Sequence, residues 1–551
     1  MKQHDRLNTY LEEAIKEYWS LPSLTELGGE TLNYKDVARR IAKMHIVFEY
    51  AGIQHGDRIA LCGRNGSNWV VLFFAILTYG AVAVPILPDF KPDNLQHLLN
   101  HSEAKLFFVD ERIWESINAD ACPNLKGIGS LKDLDILLSR DPQIDYVRNH
   151  LNELFGKRYP NRFSQSDIHY YQEDLDELCL ISYTSGSTGF SKGVMLPFRS
   201  LWSNTAYCCK NLPTQPGDGT LCILPLAHMY GLTVDLIRSF VSGNHISILM
   251  RVPSPKIIAE AAAIVRPRYV ITVPLVVEKV IRTQIFPHLE KPLMKLLFKV
   301  PVVDKKLLSR INKYLLETFG GNIKEVMIGG AAINKDIETF LDKCGFPLSA
   351  GYGMTETGPV ISYAPAEEHR VGSCGRVVDR TEVYIDSPDP INIPGVLYVK
   401  GDIVMSGYYK NPEATASCMN DGWLSTGDIC TIDSDGFIYI KGRDKNMILG
   451  ANGQNIYPEE IEDQLNNMPY VLESLIVDAG NGRLKALIFP DFESAESQGI
   501  DENGIDRIMK ENIASLNKML PAYAKVGGYR IQQEAFEKTP KNSIKRYFYK
   551  A

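Results

Sequence analysis

The stretch WVVLFFAILTYGAVAVPILP, Trp69 to Pro88, runs for twenty residues without a charge. That length spans a bilayer. The same run also fits a buried helix and a buried strand, because Gly80 divides it into WVVLFFAILTY and AVAVPI. A glycine at such a point ends a helix and starts a turn. The division predicts a helix–strand step inside an α/β domain. The flanking sequence keeps the same rhythm. YKDVARRIAKMHIVFEYAG precedes DRIALCG, NLQHLLNHSEA precedes KLFFVD, and GTLCILPL, HISILM, RYVITVP and KEVMIGG follow. Helical periods alternating with short β-branched runs predict a doubly wound parallel sheet.

From about Val383 the pattern changes. GVLYVKGDIVMSGYY and LSTGDICTIDSDGFIYIKG read as short antiparallel strands with Asp/Gly turns, hence a barrel-like or meander region. After GRDKNMI come YPEEIEDQLNNM and IDRIMKENIASLNKML at helical period, and VLESLIVDAG and RLKALIFP at strand period. These predict a compact α+β domain, with the boundary near Asp444–Lys445. The expectation is therefore α/β: residues 1–443 as a large domain of doubly wound sheets plus a distorted β-barrel from about 383, and 444–551 as a small domain.

A chain of 551 residues needs more than one core, and 45% hydrophobic with 23% charged residues is a globular composition. The net charge of -7 argues against nucleic acid as the main partner, since a phosphate-binding face shows as basic excess. Ten cysteines include no CxxC pair, which suits reduced, buried thiols and a cytoplasmic setting. The N-terminal MKQHDRLNTYLEEAIKEYW is charged throughout and is no signal peptide.

The functional signal begins at YTSGSTGFSKGV, Tyr183 to Val194, where eight of twelve residues are Ser, Thr or Gly. Small residues let backbone N–H groups converge on an anion, hydroxyls add donors, and Lys192 adds charge. Phosphate is the natural guest, and a flexible linker is the alternative. The spacing is not that of a Walker loop.

With five further motifs this loop resembles the signature of the adenylate-forming enzymes, the superfamily that includes long-chain fatty acid–CoA ligases. The others are PLAHMYG (Pro225–Gly231), GGAAI (Gly329–Ile333), GYGMTET (Gly351–Thr357), STGD (Ser425–Asp428) and GRDKNMILGANGQNIYPEEIE (Gly442–Glu462), in the family's order. The resemblance covers the chain from about residue 30 onward. It implies a large N-terminal domain, a small mobile C-terminal domain and an active site between them. The implied reaction joins a carboxylate to the α-phosphorus of ATP, releases pyrophosphate and passes the acyl group to CoA. By position it assigns Thr184, Ser185, Gly186, Ser187, Thr188, Gly189 and Lys192 to the phosphates. Glu356, perhaps joined by Thr184, would hold Mg2+, a hard cation suited to oxygen ligands. Gly330, Ala331, Gly351, Tyr352, Gly353 and Thr355 would form the adenine side, with Tyr352 stacking. Asp428 would bind the ribose hydroxyls, and Arg443 the ribose or phosphate. His228 would be the aromatic gate beside the carboxylate, and Lys445 lies at the hinge. His228, Glu356, Lys192 and Lys445 make up the implied catalytic set.

Two positions depart from the family. Ser191 stands where a Pro usually precedes the loop Lys. In KTPKNSIKRY, Lys538 to Tyr547, Asn542 and Ser543 occupy the places of a Gly–Lys pair whose Lys serves adenylation. Ser543 supplies no cation, and Lys541 and Lys545 are the neighbouring substitutes. Three readings stay open: a fatty acid–CoA ligase, an acyl-AMP ligase loading a carrier protein, and a half-active binder of acyl-adenylate. Between Val277 and Gly321 lies a long insertion like that of enzymes for longer acids. It holds nine Lys/Arg against four Asp/Glu from Val277 to Phe319. That composition suits either contact with an anionic membrane surface or a solvated helix pair. A homodimer is compatible with the family alone.

Overall fold

The computed structural model describes residues 4–184, 191–289, 301–450, 454–480, 482–539 and 543–551, with no side-chain description for 301–304. The uncharged stretch resolves as a step of an α/β layer. Helix Ser67–Tyr79 is followed by Gly80 at φ 81, whose N–H caps Ile76 and Leu77, and then by strand Val82–Ile86. Trp69, Phe73, Phe74 and Leu77 are wholly buried against neighbouring elements, each worth about 1.5–3 kcal/mol relative to exposure. No helix among the described residues is long and apolar enough to cross a membrane.

Strand Val82–Ile86 lies inside an eight-stranded sheet. The order is Gly407–Tyr408, Lys192–Pro197, Leu178–Thr184, Val82–Ile86, Arg58–Cys62, Leu106–Val109, Gly127–Ser130 and Ile136–Ser139. The Val82–Ile86, Arg58–Cys62, Leu106–Val109 and Gly127–Ser130 strands run parallel. Pro85 pairs with Leu61 on one side. On the other, pairing shrinks to Ala83 with Leu180, because proline has no N–H for a second ladder. Further strands, Tyr269–Thr272, Glu325–Ile328 and Leu348–Ala350, form a parallel sheet whose carboxyl ends open toward the site.

The antiparallel region forms a half-barrel. Its strands are Thr381–Asp386, Gly395–Gly401, Trp423–Ile432 and Met419–Asn420, with Ile438–Arg443 also on Trp423–Ile432. LSTGDICTIDSDGFIYIKG forms antiparallel strands as expected, joined by a turn at Asp433 to Gly436, and the first of them runs for ten residues. Asp428 therefore sits mid-strand, opposite Arg443.

A small C-terminal domain has its own apolar core, including Ile456, Leu465, Ile488, Met509 and Val526. Helices Pro458–Asn466 and Glu502–Met519 pack on strands Val471–Asp478, Leu484–Pro490 and Val526–Ile531. In the basic insertion, helix Pro301–Thr318 follows Phe286–Leu289, and residues 290–300 lie outside the described set.

Candidate active site

Strands Leu178–Thr184 and Lys192–Pro197 form a hairpin whose last pair is Thr184 with Lys192. The hydroxyl-rich loop joins them at the open end, and Ser185, Gly186, Ser187, Thr188 and Gly189 lie outside the described residues. Lys192 Nζ rests 4.7 Å from the centroid of the Tyr408 ring. The Tyr408 hydroxyl donates to Glu356 Oε1 at 2.9 Å. One chain of contacts thus links the loop's cation to the candidate metal carboxylate. Burial raises the Tyr408 phenol, and the Glu356 charge raises it further, so the tyrosine stays a neutral donor. The short strand Gly407–Tyr408 reaches this place by pairing with the hairpin, Tyr408 opposite Val194.

Glu356 lies in a single turn, Thr355–Thr357, and its backbone carbonyl accepts from the Met405 N–H at 2.9 Å. Among the described residues no cluster of three or more His, Cys, Asp or Glu could hold a metal ion by itself. A lone carboxylate near threonine hydroxyls suits a divalent cation that takes its other oxygens from substrate phosphates. That is the way the donor set fits Mg2+.

Strand Glu325–Ile328 ends at Gly329, and Gly330 turns at φ 83. Gly330 and Ala331 are exposed, leaving their backbone open to a flat ligand. A Cβ on Gly351 would meet Met327 Cε at 2.7 Å, and one on Gly353 would meet Pro359 O at 1.8 Å. Close backbone approach is what both glycines permit. Between them Tyr352 donates its hydroxyl to Asp428 Oδ2 at 2.5 Å, while Arg443 Nε lies 2.7 Å from Asp428 Oδ1. The Tyr352 hydroxyl is thus bound to the candidate ribose carboxylate, leaving the ring as the stacking surface. Burial pushes the Asp428 carboxyl up, opposed by Arg443 and the Tyr352 bond.

His228 sits half-buried on a turn, its N–H bonded to Pro225 O at 3.1 Å and its carbonyl accepting Leu232 N–H at 2.8 Å. The next element, Tyr230–Ile237, is a π-helix, a rare form that recurs at functional sites. Tyr230 donates to Met327 O at 3.0 Å, and its ring lies against Gly329. The turn that carries His228 therefore leads into a helix whose first residue packs on the Gly329 strand end.

Comparison with known proteins gives the family. The AMP-binding enzyme profile matches residues 11–409, and the AMP-binding enzyme C-terminal domain matches 445–550. The chain belongs to the AMP-binding enzyme family. It is 28% identical over 473 residues to the long-chain-fatty-acid–CoA ligase FadD15 of Mycobacterium bovis, covering 81% of this chain and 75% of that one. It is 29% identical over 501 residues to 4-coumarate–CoA ligase 1 of Solanum tuberosum, covering 86% and 82%. Among solved structures, ATP-bound MatB from Rhodopseudomonas palustris superposes with TM-score 0.77 at 23% identity, covering 98% of each chain. The fatty acyl CoA synthetase of Mycobacterium tuberculosis gives 0.66 at 21%, covering 98% and 96%.

In this AMP-binding enzyme the small domain meets the large one through helix Pro458–Asn466. Arg282 donates to Asn467 Oδ1 at 3.2 Å, and Lys441 Nζ lies 3.7 Å from Glu460 Oε1. Lys445 is exposed on the turn Asp444–Asn446. Burial raises the nearby Cys418 thiol, and among the weaker opposing influences are the charges of Lys192 and Lys445. Both lysines therefore act on one locality.

The described contacts of the tail stay within the small domain. Ser543 is exposed at the end of a small hairpin, where its carbonyl accepts the Thr539 N–H at 2.8 Å. Lys545 is paired with Glu537 at 2.6 Å, and Arg546 holds Glu462 by two bonds of 2.7 Å. Lys541 and Asn542 lie outside the described residues. Lys545 is thus committed to its own domain.

The interdomain contact is sensitive to charge. Burial, then Glu278 and Asp336 across the junction, push the Asp463 carboxyl up to about 6. A raised carboxylate pKa favours the protonated form, so the ionised form weakens the structure above pH 6 and the penalty vanishes below about pH 4. Asp463→Asn is expected to raise stability by about 1 kcal/mol at pH 8 and by nothing at pH 4. Thermal unfolding at the two pH values checks this, and an equal shift at both would contradict it.

Two residues of this site had no reading from the sequence. Tyr408 lies in SGYY, whose only signal is a pair of tyrosines after a strand. Tyr230 sits inside PLAHMYG, beside the histidine that drew notice.

Proposed function

We propose that this protein activates a long-chain fatty acid with ATP and Mg2+ and transfers the acyl group to CoA, releasing AMP and pyrophosphate. The observation that carries the reading is the Lys192–Tyr408–Glu356 chain, which joins the loop cation to the metal-binding carboxylate on three sequence-distant elements. Lys192, Thr184 and the hydroxyls of Ser185, Ser187 and Thr188 grip the β- and γ-phosphates. Glu356 with Thr184 would hold Mg2+, which would supply positive charge against the phosphates. Asp428 and Arg443 hold the ribose, with adenine between Tyr352 and the Gly330–Ala331 backbone. His228 positions the carboxylate, which is already ionised at neutral pH and needs no general base. The small domain, residues 444–551, turns about Lys445 between the two half-reactions. The basic segment 277–321 meets an anionic membrane surface, and flotation that does not depend on anionic lipid would remove that part.

A second reading has its own observation. Ser543 brings no cation and the described tail contacts stay within the small domain, so the protein holds acyl-adenylate without making it efficiently. Pyrophosphate release with ATP, Mg2+ and acids from acetate to stearate, with and without CoA, separates the two. Release that needs an acid and quickens with CoA supports the ligase. Silence with every acid, reversed at least about 100-fold by Ser543→Lys, supports the binder. Quickening by an acyl carrier protein but not CoA identifies a carrier-loading enzyme.

A further inference from the structure

Helix Pro92–Ser102 ends against the stem of the Thr184–Lys192 hairpin, and its last turn holds three separate elements at once. His101 Nδ1 lies 2.8 Å from the Tyr183 hydroxyl. Glu103, which caps the helix, accepts from Lys410 Nζ at 2.8 Å, from Arg58 at 3.0 Å and from the Tyr409 hydroxyl at 3.1 Å. Lys410 Nζ also donates to the His101 carbonyl at 3.2 Å. The His101 ring stands edge-on to both tyrosines, with centroids 5.8 Å from Tyr183 and 5.6 Å from Tyr409. Glu103 and Lys410 both have left-handed backbone, at φ 54 and φ 52. Residues other than glycine adopt it rarely and persist there when their surroundings hold them.

The two tyrosines are chain neighbours of the residues assigned to phosphate. Tyr183 precedes Thr184 and pairs across the hairpin with Gly193, which follows Lys192. The Tyr409 N–H donates to Gly193 O at 2.7 Å. Tyr409 in turn follows Tyr408, whose ring carries the Lys192 ammonium and whose hydroxyl holds Glu356. Each backbone that bears a phosphate-side group is thus tied, one residue away, to the same helix end. Successive strand residues face opposite sides, so His101 braces the hairpin from behind Thr184. Burial, then the Lys410 and His97 charges, hold His101 below its usual range, opposed by Glu103, and burial raises the Tyr183 phenol. Both rings are neutral at neutral pH and share their hydrogen bond without charge.

We propose that His101 and Glu103 are positioning residues for the triphosphate. They fix Thr184, Lys192 and Tyr408 through Tyr183 and Tyr409, and the grip on the β- and γ-phosphates depends on them. This rests on reading the hairpin end as the phosphate site.

The test compares Mg·ATP with AMP, each titrated into the full-length protein by calorimetry. AMP keeps the base and the ribose and lacks the β- and γ-phosphates. His101→Ala and Glu103→Ala are expected to weaken Mg·ATP by about 10-fold and to leave AMP within about 2-fold. Tyr183→Phe and Tyr409→Phe keep their rings, lose one hydroxyl each and are expected to act in the same direction. Adding Tyr183→Phe to His101→Ala is expected to cost nothing more, because both remove one bond. A merely structural role would lower the melting temperature and weaken both nucleotides together, or neither. The proposal is overturned if the four variants bind Mg·ATP as the wild type does, or if AMP weakens as much as ATP. If an alanine variant does not fold, the phenylalanine variant of its tyrosine partner decides. Selective loss of ATP binding, in a protein that releases no pyrophosphate with any acid, supports the proposal and overturns the ligase reading. Wild-type protein that binds no ATP overturns both.

Discussion

Glu356→Gln is expected to lower acid-dependent pyrophosphate release by about 100-fold or more while hardly changing the melting temperature. The side chain is 9% exposed and its Oε1 accepts from Tyr408. An amide oxygen keeps that bond, and the backbone bond from Met405 is untouched. What disappears is one negative charge at a site where a divalent cation and a triphosphate must balance each other. Loss of packing would lower stability and activity together, and loss of the charge lowers activity alone and raises the Mg2+ concentration needed. Measuring release across a magnesium titration, beside thermal unfolding, separates the two. Unchanged release at every magnesium concentration would remove Glu356 from the metal site and with it the contact chain that supports the proposed function.

Gly353→Ala carries the second large effect, and it acts through backbone. The new methyl would stand 1.8 Å from Pro359 O, 2.7 Å from Pro359 C and 3.1 Å from Val360 Cα. All three are main-chain atoms, so no rotamer change relieves the clash. Pro359 O also accepts the Met354 N–H at 3.0 Å, a bond lost if the strands part. The expected cost is about 3 kcal/mol or more. Displacement of the strand Tyr352–Gly353 would also draw the Tyr352 hydroxyl from Asp428. Thermal unfolding with and without ATP reads both consequences: a lower transition, and a smaller upward shift on adding nucleotide. A variant with wild-type unfolding and a wild-type nucleotide shift would mean that the strand has room the geometry denies.

Much of the fold was legible because its signals are local. Helix Ser67–Tyr79, the Gly80 cap and strand Val82–Ile86 lie within one uncharged run, and periodicity with one glycine suffices to divide it. The strands expected from DRIALCG, KLFFVD, RYVITVP and KEVMIGG formed as Arg58–Cys62, Leu106–Val109, Tyr269–Thr272 and Glu325–Ile328. The Asp/Gly turn expected in LSTGDICTIDSDGFIYIKG formed at Asp433 to Gly436, between strands Trp423–Ile432 and Ile438–Arg443. Asp428 lies within the first of these strands and pairs with Arg443 on the second.

The sequence by itself determined the alternation of helix and strand, the small C-terminal core and the six ordered motifs, since each is written in residues a few positions apart. Only the tertiary structure decided which of those residues touch. Tyr408 meets Glu356 across 52 positions, and Asp428 meets Tyr352 across 76. The sequence marked Ser543 as a departure from the family. The fold turned it to solvent and tied Lys545 to Glu537. It also buried Asp235 on a π-helix and Arg238 just after it. Such contacts depend on how separate layers pack, on sheet register and on domain docking, and no local pattern of residues encodes the distance between two side chains on different elements.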